Sequence, residues 1–388
     1  MKPRLIFYCQ HSLGMGHLVR SLALCDALTA SFDVTLLNGG RWPDSFARPR
    51  DIRVVDLSPI GMAEDASIFS LDGLAIDDAM ALRRAAIEAN VMDRRPDAVL
   101  IELYPFGRKK FRAEIERLID LSHSAVIASS VRDILVNNRH DQQRHDDRAA
   151  AALDERFDCV IVHTDPDFAR LEESFRPSRP LATPILYSGF VTPTHGAPPA
   201  ERRRGVVVSA GGGIVGRDLY EVAIAAAPTV RAATGHETTI VAGPFLPAED
   251  FDAVCDAAQA AGVTVIRQTP NLYAMLLSAS VSISQCGYNS ALDLLRSGAP
   301  AIVVPFVRER ETEQIDRARR LSARRFVRLI EPGSLSPNLL AAETIRLAGS
   351  PPRCGSGCLK MDGGEQSRRI LAGLVEARAG AGGRVGAQ

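Results

Sequence analysis

The stretch that decides the fold is LIFYCQHSLGMGHLVRSLALCDAL, residues 5–28. A run of five apolar residues, typical of a strand, precedes two glycines and the apolar spacing of a helix that begins near His17. Gly14 and Gly16 allow the backbone to approach a ligand closely, and a helix N-terminus offers unpaired N–H groups to an anion. The stretch therefore predicts a strand–turn–helix unit that binds a ligand at its turn.

The same alternation of short apolar runs and helical patterns continues along the chain. The runs are apolar throughout rather than alternating with polar residues, which indicates parallel strands covered on both faces. Predicted strands of the first half lie at 5–9, 34–37, 54–57, 98–103, 125–129, 159–163 and 185–187, and those of the second half at 205–210, 238–242, 263–267, 281–284, 301–305 and 327–330. The sequence predicts an α/β protein.

Between the two halves lies TPTHGAPPAERRR, residues 192–204, which has no apolar period and is typical of a linker. We therefore expect two Rossmann-like parallel-sheet domains that face a central cleft. The predicted divisions are 1–191 for the amino-terminal domain, 192–204 for the linker, 205–376 for the carboxy-terminal domain and 377–388 for a disordered tail. Whether the helix at about 364–376 packs on the amino-terminal domain stays open.

The composition argues against several classes of function. The 388 residues contain 46 Lys and Arg and 46 Asp and Glu, so no net charge attracts nucleic acid. No signal peptide and no apolar run long enough to span a bilayer occurs, and we expect a cytoplasmic protein that can touch the inner face of the membrane. Arg108, Lys109, Lys110 and Arg112 form a basic cluster, although a solvated helix face is the simpler interpretation.

Two residues are candidates for proton transfer. His17 stands at a helix start, where a neutral imidazole can take a proton from a substrate hydroxyl or from water; the alternative is a capping or packing role in a tight turn. Glu102 ends a predicted strand, and its carboxylate could support or replace His17 as the base. The alternative for Glu102 is a structural salt bridge.

The second half carries three further candidate sites, each directly after a strand. In SAGGGIVGRDLY (209–220), backbone N–H groups could cradle phosphates, or the segment could be a plain flexible turn. In SQCGYNSALDLLRSGAPAIVVPF (284–306), Asp293 on the first turn or so of the helix could accept hydrogen bonds from ribose. The alternative is an acid that is favourably placed near a helix N-terminus. In PFVRERETEQIDRARR (305–320), an acid and an amide could bind sugar hydroxyls, or lie on a solvated helix face. The candidate donor-binding residues are Gly14, Gly16, Gly211, Gly212, Gly213, Gly287, Asn289, Ser290, Asp293, Glu313 and Gln314.

Taken together and in this order, HSLGMGHLVRSLAL, GGGIVG, CGYNSALDLLRSGAPAIVVPF and ETEQ resemble the GT-B glycosyltransferases of glycosyltransferase family 28, a group that includes the peptidoglycan N-acetylglucosaminyltransferase. Residues 101–111 and 129–136 look like an uncharacterised predicted-glycosyltransferase subgroup. By matched motif, Asp293 stands where the family has a ribose-binding Glu, and its shorter side chain changes that geometry. Glu313 and Gln314 stand at the family's acid and amide pair for the donor sugar.

The resemblance implies an inverting hexosyltransferase that needs no metal or other cofactor. Its donor is a nucleotide diphosphate sugar, expected to be a UDP-sugar, and its acceptor is a small molecule or a lipid-linked compound. The segment GMGHLVRSLAL is also similar to nucleotide-sugar hydrolases of nonulosonic-acid biosynthesis, so transfer to water is the alternative reaction. A third hypothesis is a catalytically silent nucleotide-sugar binder.

Overall fold

The computed structural model describes residues 1–12, 16–43, 46–63, 67–193, 203–307, 312–352 and 357–385. Contacts divide the chain into two compact units. The amino-terminal unit comprises residues 1–135, 140–193 and 360–388, and the carboxy-terminal unit comprises residues 136–139 and 194–359.

The amino-terminal unit is a parallel sheet covered by helices. Its strands are Arg4–Cys9 (β1), Asp33–Asn38 (β2), Arg53–Asp56 (β3), Ile60–Met62 (β4), Ile68–Ser70 (β5), Ala98–Glu102 (β6), Val126–Arg132 (β7), Cys159–His163 (β8) and Ile185–Tyr187 (β9). The helices before the linker are Gly16–Leu28 (α1), Ile76–Arg94 (α2), Arg112–Leu121 (α3) and Gln142–Arg156 (α4). Seven strands pair in parallel in the order β3-β2-β1-β6-β7-β8-β9, and β4 and β5 form a separate antiparallel hairpin.

This strand order places the end of β1 beside the end of β6. In the parallel register Tyr8 of β1 lies opposite Ile101 of β6, one residue before Glu102. Every residue of β6 and β8 is buried, as expected for strands covered on both faces. The carboxyl ends of β1 and β6 thus lie at the same edge of the sheet, and Glu102 lies there as the last residue of β6.

The carboxy-terminal unit repeats this architecture. Its strands are Val206–Ser209 (β10), Thr238–Val241 (β11), Thr264–Ile266 (β12), Val281–Ser284 (β13), Ala301–Val303 (β14) and Arg328–Leu329 (β15). Its helices are Arg217–Thr234 (α5), Ala248–Ala261 (α6), Leu272–Ser278 (α7), Tyr288–Ser297 (α8), Glu313–Ala323 (α9) and Pro337–Leu347 (α10). The parallel order β12-β11-β10-β13-β14-β15 puts the glycine loop after β10 between the loops that follow β11 and β13.

The last helix, Gly363–Val385 (α11), packs on the amino-terminal unit. Leu371 is fully buried in the same cluster as Leu24 of α1, Lys360 N donates to the carboxylate of Asp165 at 2.9 Å, and Arg378 contacts Asp158. The segment from Lys360 therefore groups with the amino-terminal unit and not with the predicted carboxy-terminal domain 205–376. Because α11 continues to Val385, the predicted disordered tail 377–388 is wrong for residues 377–385.

The two parallel-sheet units confirm the predicted α/β fold, and most predicted elements occur within a few residues of their expected bounds. The β4–β5 hairpin was not predicted, because each of its strands has only three residues. The predicted linker lies mostly outside the described residues, as does Gly14. No helix in the described ranges is long and apolar enough to cross a membrane.

Candidate active site

A buried carboxylate lies at the centre of the candidate site in the amino-terminal unit. Glu102 ends β6 and is fully buried. Its Oε1 accepts a hydrogen bond from Arg20 Nη2 at 2.5 Å, and its Oε2 accepts one from Arg108 Nη2 at 2.6 Å. A buried carboxylate needs such partners, since an unpaired buried charge is costly.

His17 joins this cluster from the start of α1. Its Nδ1 lies 2.6 Å from Glu102 Oε1, and 26% of its side chain is exposed whereas Glu102 has none exposed. An ionised carboxylate can only accept hydrogen bonds, so Nδ1 carries the proton and the Nε2 lone pair remains available. The structure therefore brings together the two residues predicted for proton transfer, in an arrangement suited to a neutral base.

The surrounding charges favour this protonation state. Burial lowers the pKa of His17 most strongly, Glu102 opposes that effect, and Arg108 and Arg20 add to the lowering, which brings the pKa to about 4. Burial alone would raise the pKa of Glu102, but His17, Arg108 and Arg20 outweigh it and hold that pKa well below its usual range. At neutral pH the pair is thus an imidazole beside a carboxylate.

A second buried ion pair supports the segment that leads into the glycine turn. Arg83 and Glu114 are both fully buried and pair at 2.5 Å. Arg83 Nη2 also donates to Gln10 Oε1 at 2.7 Å, and Gln10 Nε2 donates to His11 O and Ser12 Oγ, each at 3.1 Å. These hydrogen bonds hold the residues that follow β1 in place. Gly16 is the first residue of α1.

In the carboxy-terminal unit, the glycine loop after β10 packs tightly against the loop after β11. Gly213 has φ +92, and a Cβ there would overlap the carbonyl oxygen of Ala242. A Cβ on Gly243 would likewise overlap Gly212. Gly211 has φ +57 but faces open space, so close packing explains Gly213 and not Gly211. A role in phosphate binding stays a prediction for these glycines.

Helix α9 holds the turn that precedes α8. Gln314 Oε1 accepts hydrogen bonds from Cys286 N at 3.0 Å and from Phe306 N at 3.2 Å, and Arg317 Nη1 donates to Cys286 O at 2.7 Å. Gln285 Nε2 donates to Val215 O at 2.8 Å, which ties the same turn to the glycine loop. The Gln314 oxygen is therefore engaged by the backbone, and its amide N–H groups are the ones suited to a sugar hydroxyl.

Asp293 was predicted on the first turn of its helix, and this is wrong. Gly287 is the N-cap and α8 begins at Tyr288, so Asp293 is on the second turn, too far along the helix for its N-terminal dipole to matter. Burial raises the pKa of Asp293 to about 7 although Arg296 opposes the change. Its carboxyl is thus poised to titrate near neutrality.

The remaining predicted donor residues occupy the helix starts they were assigned to. Asn289 and Ser290 lie in the first turn of α8 and are partly buried. Glu313 is the first residue of α9 and is also partly buried. These positions agree with the predicted places after β13 and β14, while their roles remain predictions.

Four residues with defined positions here were not predicted as site residues: Arg20, Arg108, Gln285 and Arg317. Arg20 follows His17 by three positions on one helix, a spacing that places both on one face and could have indicated it. Arg108 was assigned to an exposed basic cluster, and this is wrong, since only 13% of its side chain is exposed. Arg112 of the same basic cluster is exposed at the surface, where it pairs with Glu116 at 2.7 Å.

Comparisons with known proteins bear on the fold of the chain and on the family it resembles. Residues 218–353 match the family model described as the glycosyltransferase family 28 C-terminal domain. The matched residues lie within the carboxy-terminal unit. A search of curated proteins with the sequence found no match.

Solved structures match nearly the whole chain. MurG of Acinetobacter baumannii is 12% identical, with a TM-score of 0.57, and the match covers 95% of this chain and 99% of that one. UGT71G1 of Medicago truncatula, crystallised with UDP-glucose, is 13% identical with a TM-score of 0.61 and coverage of 97% and 98%. The glycosyltransferase VinC, crystallised with dTDP, is 15% identical with a TM-score of 0.59 and coverage of 96% and 100%. The chain therefore has the fold of the GT-B glycosyltransferases.

Proposed function

We propose that this protein transfers a hexosyl group from a nucleotide diphosphate sugar to an acceptor hydroxyl with inversion and without a metal ion. The observation that carries the proposal is the hydrogen bond of 2.6 Å between His17 Nδ1 and the buried Glu102. It leaves the Nε2 lone pair of a partly exposed, neutral imidazole at the carboxyl edge of the amino-terminal sheet. The proposal assigns acceptor and base to this unit and the donor to the family 28 domain.

In the proposed step, the acceptor oxygen forms a bond with the anomeric carbon as its proton moves to His17 Nε2. The bond between the anomeric carbon and the diphosphate oxygen breaks, and its electron pair leaves with the nucleoside diphosphate. Attack opposite the leaving group inverts the anomeric configuration. Glu102 stabilises the imidazolium that forms, as the carboxylate of a catalytic triad does.

The donor is proposed to be a UDP-sugar. Support comes from the family 28 domain at residues 218–353 and from UGT71G1, which binds UDP-glucose on the same fold; VinC, which binds dTDP, makes dTDP-sugars the first alternative. Glu313 and Gln314 at the start of α9, together with Asp293, are proposed to contact the sugar and the ribose.

The test is product analysis with UDP-, dTDP- and GDP-sugars, with and without a panel of acceptors and with EDTA. We expect His17→Ala to lower kcat by about 10² to 10⁴, the usual contribution of a general base, while donor affinity stays near that of the wild type. His123→Gln, at an exposed position after α3, is the matched control and should retain full turnover. A fully active His17→Ala variant would remove His17 as the base.

Hydrolysis of the nucleotide sugar is the second candidate, because the same His17–Glu102 pair could activate water instead of an acceptor hydroxyl. It predicts free sugar and nucleoside diphosphate in the absence of any acceptor. A donor that stays intact until an acceptor is added would decide for transfer. Binding without turnover under every condition would favour a silent nucleotide-sugar binder.

A further inference from the structure

The segment Leu103–Arg108, LYPFGR, begins next to Glu102 and ends with an arginine that contacts Glu102. It starts directly after Glu102, and six residues later the guanidinium of Arg108 donates to Glu102 Oε2 at 2.6 Å. The segment belongs to the motif at 101–111 that the proposed mechanism does not use. Its geometry shows what it contributes to the site.

Two buried aromatic side chains anchor this segment. Tyr104 and Phe106 are 5% and 2% exposed, and Phe106 packs edge-on against Phe175 with ring centroids 4.9 Å apart. Tyr104 O also accepts a hydrogen bond from Ser129 Oγ at 2.6 Å. With both rings fixed in the core, the path of the segment is set by packing.

The backbone is left-handed at both ends of the segment. Leu103 has φ +62 and Arg108 has φ +64, a conformation that is uncommon for residues other than glycine. Such conformations persist where the surroundings enforce them, and they cluster at functional sites. Here the two unusual residues flank a turn that directs the largely buried Arg108 at the candidate catalytic carboxylate.

Glu102 has two oxygens, and their partners differ. Oε1 accepts from His17 Nδ1 and from Arg20 Nη2, whereas Oε2 accepts from Arg108 Nη2. Without Arg108, Oε2 would lose this partner, and only the two donors on Oε1 would hold the carboxylate. Arg108 therefore fixes the carboxylate through the oxygen that His17 does not contact, and its positive charge disfavours a positive charge on the imidazole ring.

We propose that Arg108 is a positioning residue for His17: it holds the Glu102 carboxylate so that Oε1 fixes the Nδ1–H tautomer and Nε2 is the nitrogen that receives the proton. The proposal rests on the proposed function only in taking His17 as the base. The charged groups that act on the ring are Glu102 from β6, Arg108 from the segment after it, and Arg20 from α1 itself. Burial and the two arginines lower the pKa of His17, which agrees with this proposal.

The test is an NMR titration of the full-length protein with ¹⁵N-labelled histidine rings, which needs no substrate. The chain has eight histidines, and the resonances missing from His17→Gln identify His17. We expect the wild-type ring to be the Nδ1–H tautomer. In Arg108→Met the pKa of His17 should rise by about 1 to 3 units, the usual effect of one nearby charge, and the tautomer should become mixed. Arg108→Lys, which keeps a charged donor, should restore both properties.

Arg112→Met is the matched control, since Arg112 is exposed and pairs only on the surface and should leave His17 unchanged. Arg108→Gln serves if the Met variant does not fold. A His17 that titrates in Arg108→Met or Arg108→Gln as in the wild type, or that shifts equally in Arg112→Met, would overturn the proposal. A shifted titration together with no sugar transfer would leave Arg108 as the positioning residue and refute the proposed function instead.

Discussion

At the scale of single residues, Glu102 combines a proposed catalytic role with a structural one. It is the shared partner of three side chains and is itself fully buried. Removing one member of a buried ionic group leaves the others uncompensated, which costs about 3 to 5 kcal/mol. We therefore expect Glu102→Gln to lower the free energy of unfolding in urea by about that amount. Glu116→Gln, which removes a surface partner of Arg112, should cost less than about 1 kcal/mol.

The low pKa of Glu102 also gives its contribution a pH dependence. The pKa is depressed in the folded protein relative to the ordinary value of 4.5, so the stabilisation is complete above that value and is lost as the pH falls through the folded pKa. Wild-type protein should thus lose stability below about pH 4.5 more steeply than Glu102→Gln in urea titrations. If stability falls equally steeply with pH in the two proteins, the depressed pKa of Glu102 is contradicted.

The pKa of Asp293 shifts in the opposite direction to that of Glu102. Its pKa is raised to about 7, so between the ordinary value of 3.8 and pH 7 the unfolded chain ionises while the folded one does not, and stability falls as the pH rises. Asp293→Asn should therefore be more stable than the wild type by about 1 to 3 kcal/mol at pH 8 and equal to it near pH 3.5. Nucleotide binding should weaken in the same variant if the carboxylate accepts from ribose, which calorimetry would measure.

At the scale of elements, the glycine loop after β10 offers a matched pair of substitutions. Gly211→Ala meets open space and should cost only the strain of a left-handed alanine, about 1 to 2 kcal/mol. Gly213→Ala carries that strain and also drives a Cβ into the Ala242 carbonyl, so we expect a clearly larger loss of stability. Urea unfolding of both variants measures the difference, and similar losses would show that the loops after β10 and β11 can separate at little cost.

At the scale of elements, the end of a helix shows where a local sequence rule agrees with the structure. Helix α8 ends at Gly298, which has φ +62 and donates its N–H to Leu294 O, the ordinary glycine stop for a helix. The start of α8 was harder to predict, because Gln314 and Arg317, about thirty residues later in the chain, hold the Cys286 turn. That displaced boundary is why Asp293 was placed one turn too early.

At the scale of the whole molecule, α11 joins the end of the chain to the amino-terminal unit. Leu371 is fully buried there, and truncating a buried leucine to alanine costs about 2 to 5 kcal/mol. The chain has one tryptophan, Trp42, which packs against the same cluster and reports its unfolding. Leu371→Ala should lower the midpoint of the Trp42 fluorescence transition in urea.

Leu340→Ala is the control for that experiment, because Leu340 is equally buried but belongs to the core of the carboxy-terminal unit. It should move the Trp42 transition less than Leu371→Ala does. A larger effect of Leu340→Ala would contradict the assignment of α11 to the stability of the amino-terminal unit.

The sequence by itself determined the two series of parallel strands and the positions of the loops after them, because apolar runs and glycine turns act over a few neighbouring residues. It also singled out His17 and Glu102, since His17 follows a strand and Glu102 lies at the end of one. Only the tertiary structure decided that they touch, that Arg108 turns inward, that Gln314 holds the Cys286 turn and that α11 returns to the first unit. These features depend on strand order and on packing between segments far apart in the chain, and no local pattern of residues encodes such contacts.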